Sequence, residues 1–309
     1  MKKTTLTIAI PAFNEEQNIE SFLRSVLAQK LYKVRLEQIL IYSDCSDDQT
    51  NSIVKKLAKE FSQIKLIEGT SRKGKYFRVN QLFHLNKSDV EIMLDADIAL
   101  VGNNFLEKLT TELVADPKAL MMAAHVDLVR PNKFSAKVLH TGFILGDFMR
   151  LNIRNYDSAA NFHGAATAYK LAFTKTITIP QGLSDPHLYI YLVAKKKEGF
   201  RYCRDAAILQ WPPSTIADVK KVMRRSIGKR DPKLAALFGE KMIHDVHVIP
   251  FGAKIRGVLK CLFHYPLYTP LGIGMIYYFG SYAKKIEKQK LSPIWDITKS
   301  TKKPISYAK

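Results

Sequence analysis

Two aspartates one residue apart, Asp95 and Asp97, stand directly behind the apolar run Ile92-Met93-Leu94. Carboxylates so placed can share a hard divalent ion through oxygen ligands, and such an ion would offset the charge on a departing diphosphate. A second cluster, Tyr42-Ser43-Asp44-Cys45-Ser46-Asp47-Asp48-Gln49-Thr50, again follows an apolar run. Asp44 is placed there to accept from a base N–H, while Asp48 or Thr50 could cap the next helix. A third, Arg72-Lys73-Gly74-Lys75 with Arg78 and Asn80, gathers cations around a glycine at a helix start; this suits phosphate or ribose oxygens. The fourth is Gly182-Leu183-Ser184-Asp185-Pro186-His187-Leu188. Its Asp185-Pro186 reads as the N-cap and first residue of a helix, and a carboxylate there can also deprotonate a hydroxyl. Each cluster has an ordinary structural reading too: a solvated strand end, a cap or a basic loop.

The elements that hold these clusters alternate in the first half of the chain. Leu6 to Ile10 reads as a strand ending at Pro11, and Ile19, Phe22, Leu23, Val26 and Leu27 then recur at helical spacing. Asn14 with Gln17 resembles a capping box before that helix. Further strands are predicted at Ile39 to Tyr42, Ile64 to Ile67, Ile92 to Leu94 and Ala119 to Val126. Helices between them carry Ile53, Leu57 and Phe61, then Phe105, Leu106, Leu109 and Leu113. Such alternation implies a mostly parallel sheet with right-handed crossovers, whose ligands bind beyond the carboxyl ends of the strands. The polar clusters sit at those ends. The second half is less regular: a long helix from Ser135 to about Arg150, a polar loop through Asn161 and His163, a helix from Pro186, a strand near Phe200 and a basic helix near Thr215.

The chain has 309 residues, with 48 Lys and Arg against 28 Asp and Glu, a formal charge of +20. That excess calls for an anionic partner: ligand phosphates, nucleic acid or an acidic membrane surface. Cys45, Cys203 and Cys261 are too far apart for a CxxC zinc site or a disulfide framework, which favours a reducing, cytoplasmic setting. The apolar run after Lys2 and Lys3 is too short for a signal peptide and is expected to be the first strand.

Taken in order, the clusters resemble the family 2 glycosyltransferases, inverting enzymes of the GT-A fold. Pro11-Ala12-Phe13-Asn14-Glu15-Glu16 is similar to the family's opening P-x-[FY]-N-E motif at the nucleoside end of the donor site. Asp44, Ser46, Asp48 and Thr50 match D-x-S-x-D-x-T, whose first Asp contacts the base, and Gly74-Lys75 through Asn80 match G-K-x-x-x-x-N. Asp95-Ala96-Asp97 matches the D-x-D, which makes Asp97, helped by Asp95, the expected metal ligand. Gly164-Ala165-Ala166 resembles the Gly-rich acceptor-side segment. Ser184-Asp185 to Leu188, with Gly199-Phe200, resembles E-D-x-x-L…G-[FY], whose Asp is the catalytic base; Ser184 replaces the first acid. Pro213, Thr215, Asp218, Arg225 and Gly228 fall where the family has P-x-T, D and Q-x-x-R-W-x-x-G, so Arg224 or Arg225 is expected to meet the pyrophosphate. Val222 and Ser226 stand at the Gln and Trp positions of the processive synthases, which argues for non-processive transfer.

The resemblance therefore implies a doubly wound GT-A catalytic domain over residues 1–230. It would move a sugar from a nucleoside diphosphate sugar, UDP being the usual nucleotide, to a hydroxyl acceptor with Mg²⁺ or Mn²⁺. Two other readings are open. Sugar nucleotidyltransferases share a related fold but open with a G-x-G-x-R loop that is missing here, and a non-enzymatic basic binding protein would suit the charge but shows no nucleic-acid signature. Residues 231–309 are expected to be a helical, apolar and basic appendage. Cys261 to Ala283 holds no charged residue, and as one helix it would reach roughly 34 Å, against a hydrocarbon core of about 30 Å. Pro266 and Pro270 break it, and basic residues flank both sides. The expectation is peripheral attachment to the cytoplasmic face of an anionic membrane, with a lipid-linked acceptor near Asp185; a true span and a buried core segment are the alternatives.

Overall fold

Strands that alternate apolar residues on both faces demand cover on both faces. In the computed structural model, which describes residues 2–151, 153–225, 231–286 and 298–305, the central sheet is sandwiched in that way. Strands β1 (Thr4–Ala12), β2 (Val34–Ser43), β3 (Ile64–Glu68) and β4 (Val90–Leu94) run parallel in the order β3-β2-β1-β4. Beyond β4 the sheet becomes mixed. β7 (Ala166–Lys170) lies antiparallel between β4 and β6 (Met121–Leu128), β8 (Phe200–Gln210) runs parallel to β6, and the short β5 (Ile98–Leu100) closes the far edge.

Leu6, Ile8 and Ile10 of β1 and Ile92 and Leu94 of β4 face helices α1 (Ile19–Leu27), α2 (Thr50–Glu60) and α4 (Phe105–Ala115). Ala9, Leu40 and Met93 face the other way, against α3 (Lys75–Leu85), α6 (Leu171–Thr174), α7 (Pro186–Lys196), α9 (Pro232–Phe238) and α10 (Glu240–His247). The strand order reverses between β1 and β4, so the loops leaving their carboxyl ends diverge and open a crevice there. Asp44, Asp95 and the Asn14 loop all sit at those ends. The architecture is the mixed α/β GT-A arrangement anticipated from the motif order.

Two local expectations change. Asn14 is not a capping residue for α1: it adopts a left-handed φ of 53° and spends its amide on Asp47, while Asn18 occupies the N-cap without a side-chain bond to the N–H groups of the helix. Thr50 likewise serves the neighbouring loop through its hydroxyl, whereas Asp48 does both, one oxygen accepting from the Thr50 N–H at the start of α2 (2.9 Å) and the other from the Glu16 N–H (3.1 Å). By contrast Asp185 caps α7 as expected, accepting from the Leu188 N–H at 3.0 Å with Pro186 at the first turn.

After α8 (Ile216–Arg225) and α10, the chain forms a helical hairpin, α11 (Phe251–His264) and α12 (Thr269–Ile286). Pro266 lies in the break and Pro270 in the first turn of α12, positions where a missing N–H does no harm. Both helices pack on α5 (Phe134–Arg150) through glycines. A Cβ at Gly257 would come 2.9 Å from the Met149 backbone nitrogen, and one at Gly272 would come 3.2 Å from that of Gly142. Among the described residues no helix is long and apolar enough to cross a membrane. Part of the uncharged segment is instead core: Cys261 is buried, and Phe279 packs with Leu139 and Val219.

Candidate active site

The loops leaving β1 and β2 are clasped together by the side chains of both motifs. Asn14 and Asp47 bond reciprocally, amide to carboxylate at 2.5 Å and N–H to amide oxygen at 3.1 Å. The Glu15 N–H donates to the Thr50 hydroxyl at 2.7 Å, the Glu16 N–H donates to Asp48 at 3.1 Å, and the Glu16 carboxylate accepts from the Gln49 N–H. Each motif therefore shapes the other's backbone, which is a physical reason for their occurring together. Pro11 ends this strand half-buried, and Phe13 follows it with the Arg72 guanidinium 4.0 Å over its ring.

Asp44, expected at the base, is buried at the end of β2 with most of its lone pairs taken. It accepts from the backbone N–H of Lys73 (2.9 Å) and Gly74 (2.7 Å) and from Arg78 Nε (2.7 Å). The Arg78 fork also donates to Gln81 and Ser71, and it lies over Tyr42. Gly69 is glycine because a Cβ there would meet the Arg78 Nη2 at 2.3 Å. This buried ion pair fixes the 72–75 turn, and with it the start of α3 and the direction of Lys75. Asn80, expected beside the donor, has both ends of its amide on the Ile179 backbone, at 2.9 Å each. It ties α3 to the segment that leads to Asp185.

Lys75 links the 72–75 turn to Asp95 and to the Gly164-Ala165 turn. Its ammonium is 2.5 Å from Asp95 Oδ1 and 3.4 Å from the Gly164 carbonyl, and the Asp95 N–H donates to the Ala165 carbonyl at 2.9 Å. Gly164 has φ +65°, and a Cβ would lie 2.1 Å from the His187 ring. Lys75, the Gly164-Ala165 turn and the imidazole two residues beyond Asp185 therefore form one packed series. His187 is wedged edge-on between Tyr76 and Phe162.

Asp97 carries the least compensated charge of the pair. Burial first, and the Asp95 carboxylate second, push its carboxyl up to about 6. Asp97 in turn helps burial raise the Glu15 carboxyl to about 8, against the lowering effect of Lys302. Crowded carboxylates of this kind favour a cation between them and oxygen ligands suit a hard divalent ion, so Asp97 and Asp95 fit Mg²⁺ or Mn²⁺. Among the described residues no group of three or more His, Cys, Asp or Glu gathers to enclose a metal, so the remaining ligands would have to be phosphate oxygens and water.

Asp185 stands at the start of α7 with one oxygen on the Leu188 N–H, two residues before the His187 ring that packs on Gly164. Burial raises its carboxyl to about 6, with Asp231 adding to the rise and the Leu188 and His187 N–H groups opposing it. Its loop is held by Asp231, which accepts from both the N–H and hydroxyl of Ser184 while capping α9.

Sequence reasoning did not pick out Asp231, although Asp231-Pro232 repeats the Asp-Pro helix start of Asp185-Pro186. It also missed Lys302, since one lysine among several in a basic tail gives no signal. The Lys302 ammonium donates to the carbonyls of Phe13 (2.6 Å) and Asn14 (3.0 Å) and to Glu15 Oε1 (2.6 Å). The segment around it is fastened by Asn18 to the Lys302 carbonyl, Trp211 to that of Pro304, and Ser300 to Asp218. Arg224 donates to the Tyr282 hydroxyl of α12 at 3.2 Å, so it faces the C-terminal helix. The Arg225 side chain, Ser226 and Gly228 lie outside the described residues.

With that geometry in view, comparison with known proteins is informative. Residues 7–177 match the profile of Glycosyl transferase family 2. A stretch of 95 residues, 30% of the chain, is 33% identical to the probable glycosyltransferase YdaM of Bacillus subtilis (strain 168) and spans 22% of that protein's length. Among solved structures, the mannosyltransferase PcManGT from Pyrobaculum calidifontis, in complex with GDP-Man and Mn²⁺, superposes with a TM-score of 0.59 at 18% identity, covering 92% of this chain and 78% of that one. TarS residues 1–349 from S. aureus, in complex with UDP, give 0.54 at 17% identity over 78% of this chain and 70% of that one. The profile match over more than half of the chain, on a sheet of similar architecture, shows that the chain belongs to glycosyl transferase family 2 and has the GT-A fold.

Proposed function

We propose that the protein is an inverting, non-processive transferase that moves a sugar from a nucleoside diphosphate sugar to an acceptor hydroxyl, with Asp185 as the base. The observation that carries this reading is the packed series Asp95–Lys75–Gly164–His187, which joins the diphosphate side of the cleft to the Asp185 helix start. The β1 and β2 loops, with Phe13 and Asp44, form the nucleoside end, and the one lone pair that Asp44 Oδ2 keeps is the acceptor left for a base N–H. Lys75 offers its cation to the diphosphate. A divalent ion held by Asp97 and Asp95 would supply further charge stabilisation to the leaving diphosphate.

Asp185 takes the proton from the acceptor hydroxyl at the oxygen that is not on the Leu188 N–H, which prepares the hydroxyl to attack the anomeric carbon from the face opposite the diphosphate. A carboxyl raised to about 6 is ionised at neutral pH yet more basic than an exposed aspartate. Val222 at the place of the processive enzymes' glutamine supports a single transfer per encounter. The acceptor on this reading is a hydroxyl on a lipid-linked substrate at the cytoplasmic face of a membrane. The structural relatives carry GDP-Man in one case and UDP in another, so both nucleotides belong in the test. A screen of UDP-, GDP- and dTDP-sugars for hydrolysis and transfer, with and without Mn²⁺, should single out one donor, with turnover lost when EDTA is added. Product formed from a sugar phosphate and UTP instead would replace this reading with nucleotidyl transfer.

A further inference from the structure

Helix α11 is amphipathic in reverse. Its buried stripe is Ala253, Gly257 and Cys261, which lie against α5. On the opposite side Phe251, Ile255, Leu259, Leu262 and Phe263 fall within an arc of about 120°, and all five are exposed. Phe251 is 75% exposed, Phe263 is 84%, and Leu267 at the tip of the hairpin is 81%; values this high at apolar side chains mark a surface made to be covered. Lys254 borders the arc on one edge and Arg256 and Lys260 on the other, and α11 contains no acidic residue.

We infer that α11 lies in the plane of an anionic lipid bilayer, its aromatic and aliphatic face at the headgroup–acyl boundary and its bordering cations on lipid phosphates. An apolar face edged with Lys and Arg is the pattern of an interfacial helix. Charge complementarity selects this occupant over a second copy of the chain, because two copies carrying +20 each would bring the same cations together. The surface overlaps the segment singled out from composition, sharing Leu262, Phe263 and Leu267 with it. It begins ten residues earlier, at Phe251, and leaves Phe279 and Gly272 of α12 as packing against α5 and α8.

The fold also sets which side of the enzyme meets the lipid. α11 packs along α5, and Arg150 at the end of α5 bonds to His163, the neighbour of Gly164 in the acceptor-side loop. Arg154, close behind, donates to the Val248 carbonyl at the entrance to α11. Docking by α11 therefore holds the acceptor side of the cleft near the lipid surface, an orientation whose catalytic meaning rests on the transferase reading; the docking itself does not.

Sedimentation with vesicles tests the inference. Purified protein is mixed with vesicles of equal parts phosphatidylcholine and phosphatidylglycerol, or of phosphatidylcholine alone. Two double variants, Leu259→Ser with Phe263→Ser and Lys254→Gln with Arg256→Gln, change only exposed side chains. Wild type should pellet with the anionic vesicles. The basic pair should weaken partitioning roughly 25-fold, about fivefold or 1 kcal/mol for each cation, and the apolar pair at least tenfold. Donor hydrolysis in vesicle-free buffer should be unchanged in both variants. Wild type that stays in solution with anionic vesicles, or variants that pellet as well as wild type, would overturn the docking. So would a dimer that the apolar pair disperses without any vesicle binding, which would make the face a contact between copies. Wild type that pellets but hydrolyses no nucleotide sugar would sink the transferase reading and leave the docking standing.

Discussion

Arg78→Ala should destabilise the protein and slacken the donor turn together. The Arg78 and Asp44 side chains are 4% and 5% exposed, so the pair is held away from water. Removing one member of a buried pair typically costs about 3–5 kcal/mol. Here Asp44 keeps two backbone donors, Lys73 N–H and Gly74 N–H, which places the expected loss near the lower end, about 3 kcal/mol. Arg78→Lys keeps a charge but has no planar fork to reach Asp44, Gln81 and Ser71 together; about 1–2 kcal/mol should be lost. Urea unfolding followed by circular dichroism reads both variants. UDP affinity should fall about tenfold in Arg78→Ala, equivalent to about 1.4 kcal/mol, because the same carboxylate positions Gly74 and Lys75. A loss below about 1 kcal/mol with unchanged UDP affinity would refute the claim that this pair organises the donor turn.

Lys302→Met removes the cation that gathers the Phe13 and Asn14 carbonyls and Glu15; donor KM should rise about 3–10-fold with kcat nearly constant, and an unaltered KM would count against that role. Gly164→Ala drives a Cβ into the His187 ring at a left-handed φ; kcat should drop about 10²-fold by misplacement alone, UDP binding should survive in calorimetry, and near-normal kcat would contradict the packed series. Glu91 is fully buried without a hydrogen-bond partner among the described residues, and burial raises its carboxyl from 4.5 to about 8. A group raised in this way stabilises fully below its unfolded pKa, and the contribution is lost as pH climbs through the folded one. Glu91→Gln should therefore gain on wild type as pH rises, by roughly 3 kcal/mol near pH 7; equal gains in urea unfolding at low and high pH would exclude it.

The donor half of the fold was legible because its signals are local. Apolar runs of strand length, helical spacing from Ile19 to Leu27 and the Asp-Pro start at Asp185 each depend on neighbours in sequence, and the structure keeps them. What escaped depends on distant partners. Asn14 followed three residues on by Gln17 looks like a cap, yet the amide finds Asp47 across the β1–β2 crevice, a contact no spacing rule contains. β5 has only three residues, and the five of β7, Ala-Thr-Ala-Tyr-Lys, lack the large aliphatic residues that mark β3 and β4 at the same length. Lys302 reaches the Phe13 loop across most of the chain, and nothing in its surroundings distinguishes it from the other lysines of a basic tail. The C-terminal segment was legible only in part for a related reason. Lack of charge drew attention to 261–283, where Cys261, Thr269, Gly272 and Phe279 are buried and most of the remainder is exposed, while the start of the exposed apolar face of α11, from Phe251, is interleaved with lysines that hid it.

The central claim is that Asp185 removes the acceptor proton, and Asp185→Asn tests it most directly. The amide retains an oxygen for the Leu188 N–H, so α7 keeps its cap, but it cannot accept a proton. Transfer measured with the donor identified by the screen should fall about 10²-fold or more, while calorimetry shows UDP binding within error of wild type. Wild-type transfer should rise as pH passes through about 6, where Asp185 ionises. Asp185→Asn that retains more than about a tenth of the wild-type rate, against the 10²-fold or greater contribution of a positioned base, would contradict the account.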